Sequence, residues 1–264
     1  MRIINQPRNS GNLLRCIFNE RRVWSHLGWR DLRSRYARTV IGPWWSAANL
    51  ITVVLGSSLA VGLIAGSTAF SQMPRIALGL GLWTYMSSAL NESVELFESD
   101  KSLLLNSDLS ESAFVARLIW RNFLVFAHNL AVVFLFFAIN SSTFSWRLLI
   151  LAPISLLISL SLPFPIYMFA RLSLSIKDLK VVFPSLVQFA FFLTPVLWTP
   201  PTGGPMYFIF GINPAGWIIE FSRRFIIDNQ FDERLIIKSA IFSTISFLCF
   251  LRSQKSMKIV RKLL

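Results

Sequence analysis

Residues 181–219 read VVFPSLVQFAFFLTPVLWTPPTGGPMYFIFGINPAGWII, thirty-nine positions that contain no Asp, Glu, Lys or Arg. A membrane-spanning helix needs about 20 apolar residues, so the stretch is too long for one span and too short for two with a turn. Helix-interrupting residues fill its second half: Pro195, Pro200, Pro201, Gly203, Gly204, Pro205, Gly211 and Pro214. Such backbone is tolerated at membrane depth only inside protein or beside a water-filled cavity. The stretch therefore predicts one helix over 179–198, followed by a re-entrant hairpin of two short helices over 199–227.

Other charge-poor stretches on either side of this one are also long enough to cross a membrane. They predict spans over 42–65, 74–92, 115–139, 148–169 and 235–251. Only 15 % of all residues are charged, whereas soluble domains average about a quarter. The predicted fold class is all-α integral membrane: a single domain over 1–264 with six transmembrane helices, an N-terminal amphipathic interface helix, and a re-entrant periplasmic hairpin between helices 5 and 6. Within the hairpin, Asn213 and Pro214 suit the N-cap and first position of the second short helix.

The net charge of +13 lies mostly in the segments that flank the predicted spans. Segments 1–41, 92–113, 170–180 and 252–264 hold eighteen Lys and Arg, against six in the segments on the other side. The positive-inside rule therefore predicts that both termini are cytoplasmic and that the hairpin faces outward. Positive flanks of this kind favour contact with anionic membrane lipids, and we expect no binding to nucleic acid.

The cytoplasmic N-terminal segment, residues 1–41, contains a stretch with helical periodicity. Its apolar face would carry Trp29, Leu32, Tyr36 and Val40, and its polar face Arg30, Asp31, Arg35 and Arg38, with Arg33 near the boundary. This pattern predicts an amphipathic helix in the cytoplasmic membrane interface. The alternative is a positively charged flank that only sets the topology.

An acidic segment lies between the second and third predicted spans. It holds Glu92, Glu95, Glu98, Asp100, Asp108 and Glu111, with Lys101 as its one basic residue. Carboxylates are not what the positive-inside rule places on the cytoplasmic side, so the segment indicates a docking surface for a partner. A solvated loop without a partner is the alternative.

Several kinds of chemistry are missing from the sequence. There is no G-x-x-x-x-G-K-[ST] loop for nucleotide phosphates, no metal-ligand spacing around His26 or His128, and no pairing pattern for Cys16 and Cys249. The centres of the spans carry almost no charge, although ion-coupled transporters use charged residues there. We therefore expect a transport subunit that is not itself an enzyme, binds no cofactor, and draws energy from a separate ATPase. A membrane glycosyl or acyl transferase is a remote alternative, because it would need a catalytic acid or His in a soluble loop.

Uncharged polar and aromatic residues mark the predicted membrane interior. Hydroxyl groups take hydrogen bonds and ring faces stack on aromatics, so such a lining suits a sugar chain that has to slide. The candidate pathway residues are Trp45, Asn49, Phe191, Trp198, Tyr207 and Phe208. The alternative is that Trp and Tyr lie at the membrane surface and Phe faces lipid, as they do in many membrane proteins.

A series of short motifs resembles one known family. In order they are RDLRSRY at 30–36, TVIGPWW at 39–45, LGLW at 80–83, SALNE at 88–92, WRN at 120–122, FAHN at 126–129, FFLTPV at 191–196 and NP at 213–214. Together, over about residues 29–225, they resemble the ABC-2 type polysaccharide exporter permeases, and within them the O-antigen branch, related to capsule and teichoic acid export permeases. SIKD at 175–178 departs from the family pattern by lacking its first arginine.

The resemblance implies a single ABC-2 transmembrane domain that forms a homodimer and pairs with two ABC ATPase subunits, which bind ATP and Mg. It implies export of a lipid-linked polysaccharide across the bacterial cytoplasmic (inner) membrane, with the hairpin as outer gate. Teichoic acid, a drug or a lipid is the alternative cargo. The interface helix and the acidic segment would dock the ATPase, and the residues expected to contact it are Asp31, Arg33, Glu95, Glu98 and Asp100.

Overall fold

The computed structural model describes residues 17–107, 109–140, 145–201, 203–253 and 260. These residues form helices and loops, with no β-strand among them. The helices are α1 (Arg21–Arg35), α2 (Trp44–Ala65), α3 (Ala69–Ser93), α4 (Leu96–Ser99), α5 (Lys101–Asn106), α6 (Glu111–Ile139), a 3-10 helix (Trp146–Ile150), α7 (Leu151–Ser161), α8 (Pro163–Ser175), α9 (Leu179–Leu193), α10 (Pro205–Gly211), α11 (Pro214–Ile226) and α12 (Glu233–Arg252). Predictions that involve residues 1–16, Asp108 and most of the tail after Ser253 lie outside the described residues.

Within the described part of the chain, four helical segments are long and apolar enough to cross a membrane. They are α2, α6, the continuous run Trp146–Ser175 and α12, whose most apolar windows have mean hydropathies between 1.7 and 2.1. These segments coincide with the predicted spans 42–65, 115–139, 148–169 and 235–251. The structure thus confirms an all-helical fold with membrane-capable helices, which indicates a membrane protein.

The other two predicted spans fall on α3 and α9, which do not meet the same criterion of length and hydropathy. Helix α3 is 25 residues long but less apolar, and about half of its residues are buried, including every residue from 76 to 83. Helix α9 has only 15 residues and ends at Leu193, five residues before the predicted end of its span. The count of six spans therefore stays a prediction.

Helix α3 begins at Ala69, five residues earlier than predicted, and includes Pro74. A proline inside a helix leaves the carbonyl four residues earlier without its N–H partner. That carbonyl belongs to Phe70, and the side-chain amide of Asn140 donates to it at 3.3 Å. The end of α6 therefore compensates for the proline and lets the helix run through it.

Helix α1 packs against the first half of α6. A Cβ atom at Gly28 would come within 3.0 Å of the Trp120 ring and 3.2 Å of the Arg117 carbonyl, so the glycine permits this close approach. Leu32 is buried, whereas Trp29, predicted on the same apolar face, is 52 % exposed. Val40 was wrongly placed on that face: the helix ends at Arg35, and Val40 lies in the following loop with 96 % of its surface exposed.

Two short helices follow α9, as the helix-interrupting Pro and Gly residues of this stretch predict. Gly204 has a φ of +83° just before α10, a conformation that favours glycine. Asn213 is the N-cap of α11, because its side-chain oxygen accepts from the N–H of Gly216 at 3.1 Å, and Pro214 is the first helical residue. The predicted capping roles of these two residues are confirmed.

Candidate functional site: an ion-pair cluster joined to a polar cavity

Six charged side chains from separate parts of the chain meet near the end of α3 and the start of α6. This ion-pair cluster consists of Asp31 and Arg35 of α1, Glu92 of α3, Asp100 between α4 and α5, and Arg117 and Arg121 of α6. Three of them are acidic and three are basic, so their formal charges cancel. Charges that leave water together in this way must be paired to be tolerated.

Arg117 is the centre of the cluster. Its Nε donates to Oδ2 of Asp31 at 2.5 Å, and its Nη1 lies 3.1 Å from Oδ2 of Asp100. Arg121, one helical turn further along α6, lies 3.7 Å from the same oxygen of Asp31. Through these ion pairs, the two arginines hold α1 and the connection between α4 and α5 against the same turn of α6.

Glu92 connects the ion pairs to the interior of the protein. One carboxylate oxygen lies 2.5 Å from Arg35, and the other accepts from Arg121 at 2.7 Å and from the side-chain amide of Asn122 at 2.6 Å. Asn122 is itself buried and also lines a cavity. One carboxylate therefore contacts both the charged cluster and the wall of the cavity.

The cavity has a volume of about 140 Å³ and lies between α2, α3 and α6. It is lined by Ser46, Asn49, Leu50, Val53, Leu80, Thr84, Tyr85, Ser88, Asn122, Val125, Phe126 and Asn129. None of these side chains is charged at neutral pH, and seven of the twelve carry a hydroxyl or an amide. The lining therefore offers hydrogen bonds without fixed charge.

The residues at FAHN, 126–129, hold two helices together. The hydroxyl of Ser46 on α2 donates to the side-chain oxygen of Asn129 on α6 at 3.0 Å. The His128 ring bonds to the carbonyl of Leu124 in its own helix and packs edge-on against Trp44 of α2, with the ring centroids 5.2 Å apart. The Asn129 hydrogen bond and the His128 ring contact therefore both join α6 to α2.

The predicted ATPase contacts fall into two groups. Asp31 and Asp100 point into the ion-pair cluster, with 14 % and 20 % of their side chains exposed. Arg33, Glu95 and Glu98 are exposed, although Glu98 also pairs with Lys180 of α9. Only the second group is placed to meet a partner directly.

Of the six predicted pathway residues, the cavity includes Asn49 alone. The Phe191 ring packs against Trp83 with the centroids 5.8 Å apart, and the Trp198 indole donates to the carbonyl of Phe192 at 3.1 Å. Trp45 of α2 and the hairpin residues Tyr207 and Phe208 are exposed. The cavity is therefore not lined by the five predicted aromatic residues, which are Trp45, Phe191, Trp198, Tyr207 and Phe208.

Burial raises the pKa of the Asp100 carboxyl above its ordinary value of 3.8, while Arg117 acts in the opposite direction. The folded protein therefore disfavours ionisation of this group relative to the unfolded chain, so stability is lost as pH rises through the raised pKa. An amide at position 100 does not ionise, so the Asp100→Asn variant does not lose this stability as pH rises. We expect the Tm of the variant, relative to the wild type in the same detergent, to increase as pH rises from 4 to 7. A difference that stays constant or decreases would contradict this assignment.

Arg223 of α11 is a residue whose role sequence reasoning missed. Arg223 is 1 % exposed, and within the described residues its side chain donates to backbone carbonyls alone. Nε and Nη2 donate to the carbonyl of Arg75 at 3.2 and 3.1 Å, and Nη1 donates to that of Trp198 at 3.3 Å. The carbonyls of Pro195 and Val196 complete the set. The guanidinium therefore satisfies the backbone that is freed where α9 ends.

Gly79 of α3 provides the space for this arrangement. A Cβ atom at this position would lie 2.8 Å from the carbonyl oxygen of Val196 and would overlap the Arg223 guanidinium. The glycine and the arginine together hold the loop after α9 against α3 and α11. Sequence reasoning counted Arg223 and Arg224 only as outward-side charges.

No protein-family model matches this chain, and no curated protein matches it either. The resemblance to the polysaccharide exporter permeases therefore stays a prediction from the motifs. Among the residues that the structure describes, no group of three or more His, Cys, Asp or Glu is arranged to hold a metal ion.

Proposed function

We propose that this protein is the membrane subunit of an ABC-2 type exporter, which moves a lipid-linked polysaccharide outward while a separate ATPase subunit hydrolyses ATP. One observation carries the proposal. The two segments proposed to dock the ATPase, α1 and the acidic connection after α3, are fastened to each other and to α6 by the ion-pair cluster. A force applied to either segment would therefore reach the helices around the polar cavity.

The cavity lining agrees with a neutral, hydroxylated cargo. Its walls offer amides and hydroxyls but no charge, so they can bond to sugar hydroxyl groups without the strong attraction that would stop movement. An ion-coupled mechanism would instead place ionisable side chains within the spans. In this proposal the chain has no ATPase site of its own and depends on its partner for energy.

The proposed topology has six spans, with α3 and α9 as the second and fifth. Helix α3 is enclosed by other helices rather than by lipid, so glycines and hydroxyls within it cost less than they would at a lipid-facing position. The loop after α9 has its carbonyls bonded by Arg223, which is the condition for irregular backbone at membrane depth. Helices α10 and α11 would then form a re-entrant outer gate.

In this proposal the protein is a homodimer in the bacterial cytoplasmic membrane, with both termini inside. Helix α1 would lie at the cytoplasmic membrane interface. Its outer side presents Arg33, while Glu95 and Glu98 are exposed on the neighbouring connection. These three residues are the proposed direct contacts with the ATPase, and Asp31 and Asp100 would support them from within the cluster.

The docking surface is tested by replacing Glu95 and Glu98 together with alanine. Both side chains are exposed, and the ion pair of Glu98 with Lys180 is a surface pair that contributes little to stability, so we expect little change in the folding of this chain. We expect about a tenfold weaker association with the ATPase, because two interface charges are lost. The measurement is the amount of ATPase retained when the tagged protein is purified in mild detergent. Glu233→Ala, an exposed acid at the start of α12 on the proposed outer side, is the matched control. If the double variant and the control retained equal amounts of ATPase, the acidic connection would not be part of the interface.

A further inference from the structure

The two short helices of the hairpin differ in how much of their surface the protein encloses. In α11, eight of the thirteen residues are buried. In α10, Phe210 is the one buried residue, whereas Tyr207 and Phe208 are 54 % and 69 % exposed. Helix α10 therefore contacts the rest of the protein mainly through one aromatic side chain.

Hydrogen bonds from three separate elements attach α11 along its whole length. At its start, the side-chain amide of Asn213 donates to the hydroxyl of Thr194, where α9 ends, at 2.9 Å. Further along, Arg223 bonds carbonyls of α3 and of the loop after α9. Near its end, Arg147 of the 3-10 helix donates to the carbonyl of Phe225 at 3.4 Å. These contacts fix α11 relative to the helices around it.

Phe210 holds α10 against α11. Its ring lies beside Gly216, since a Cβ atom at that glycine would come within 3.3 Å of the ring. The indole of Trp217 donates to the Phe210 carbonyl at 2.9 Å. Within the described part of the chain, this is the one side-chain hydrogen bond between α10 and another helix. The loss of one ring contact and one hydrogen bond would therefore separate α10 from α11.

Glycines flank α10 at positions where close packing does not require them. A Cβ atom at Gly203, Gly204 or Gly211 would have no atom from elsewhere in the described chain within 4 Å, whereas one at Gly216 would lie 3.0 Å from Pro195. The positive φ of Gly204 favours glycine there, but Gly203 and Gly211 have no positive φ. Glycine at such positions increases the conformational freedom of the backbone. The chain can therefore turn on both sides of α10.

We infer that α10 is a flap that opens by itself, turning at Gly203–Gly204 and at Gly211 while α11 stays in place. Opening withdraws the Phe210 ring from Gly216 and breaks the hydrogen bond to Trp217. In the proposed function, on which the biological meaning of this inference rests, α10 is the moving part of the outer gate and α11 is its fixed frame. A segment held by so few contacts opens locally without unfolding its neighbours.

Hydrogen exchange of the full chain in lipid nanodiscs, measured by mass spectrometry, tests whether the two helices open separately. The amides of residues 208–211 should exchange at least about 100-fold faster than those of residues 218–223, after correction for intrinsic rates. Opening of the flap exposes the amides of α10 only, whereas movement of the whole hairpin would expose those of both helices. Equal protection of the two helices would overturn the inference.

Three variants test what holds the flap and where it turns. Trp217→Phe keeps a ring but removes the donor to Phe210, so exchange in α10 should become about fivefold faster and exchange in α11 should not change. Gly203→Ala combined with Gly211→Ala fits the closed structure and restricts both turning points, so exchange in α10 should become about fivefold slower. Gly56→Ala in α2, at an equally open position, is the matched control and should have no effect on α10.

Two further results would overturn the inference: an unchanged rate in the double alanine variant, or an equal increase in α10 and α11 with Trp217→Phe. These experiments use the chain without its ATPase, so they are independent of the proposed function. With the co-purified ATPase and a non-hydrolysable ATP analogue, exchange in α10 should change about fivefold or more. If α10 opened separately from α11 but ATPase and nucleotide left its rate unchanged, the flap would stand and the proposed function would be contradicted.

Discussion

Replacing Arg223 by methionine is expected to destabilise the protein by about 3–5 kcal/mol and to release the loop after α9. The methionine has a similar length but no donors, so the buried carbonyls of Arg75, Pro195, Val196 and Trp198 would lose their partner. Buried groups without a partner cost more than a hydrogen bond contributes when it forms. The measurements are the Tm in detergent and the rate of limited proteolysis within residues 194–204.

Arg234→Met is the control, because Arg234 is an exposed arginine near the start of α12. It should leave the Tm almost unchanged. Arg223→Lys should fall between the two, since an ammonium has three donors in place of five and cannot reach all the carbonyls. A Tm for Arg223→Met within 2 °C of the control would show that the guanidinium does not hold the loop.

The contact between Arg223 and the loop after α9 can also be tested by changing Gly79 of α3, which lies against both. Gly79→Ala would force its Cβ against the Val196 carbonyl and the guanidinium, whereas Gly56 of α2 has no atom within 4 Å of the corresponding position. The alanine at 79 should therefore reproduce part of the Arg223→Met phenotype, and the alanine at 56 should not. Similar proteolysis rates for the two alanine variants would contradict the packing around Gly79.

Asp31→Asn is expected to lower stability by about 2–3 kcal/mol and to reduce the retained ATPase about tenfold. Arg117 and Arg121 would lose the carboxylate that joins them, in surroundings where 10 % and 19 % of their side chains are exposed. The cost is below that of a fully buried ion pair because water still reaches part of the cluster. Detachment of α1 from α6 would separate the two proposed docking segments.

The control for Asp31→Asn is Asp178→Asn, an exposed acid at the start of α9. A double-mutant cycle with Arg117→Gln should give a coupling energy of about 1–3 kcal/mol, as found for residues in one charged network. Additive effects of the two substitutions would mean that the contact between Asp31 and Arg117 contributes nothing specific. If the Asp31→Asn variant retained as much ATPase as the wild type, the ion-pair cluster would have no role in docking.

Much of the helical framework could be predicted from the sequence, because it depends on local properties. Runs without charge locate α2, α6 and α12, and the breakers after Leu193 locate the two short helices. Asn213 and Pro214 act where capping preferences place them. Boundaries were less accurate where tertiary contacts intervene: α3 passes through Pro74 because Asn140, sixty-six residues later, bonds the freed carbonyl.

The site was less predictable than the fold. The acidic segment was recognised, but Asp100 was expected to face a partner and instead faces Arg117. Arg117 and Arg121 share a face of α6, which could have indicated a common partner, yet only the folded chain brings Asp31 and Glu92 to them. Arg223 gave the weakest signal, since its acceptors are main-chain atoms from distant segments and no residue type marks them.

This chain is proposed to work with a separate ATPase. The most direct test is gentle purification of the tagged protein from the membranes of the cells that naturally produce it, followed by mass spectrometry of the proteins that remain bound. We expect an ATPase at about one copy per chain. The absence of any ATPase, under conditions in which other membrane complexes stay intact, would contradict it.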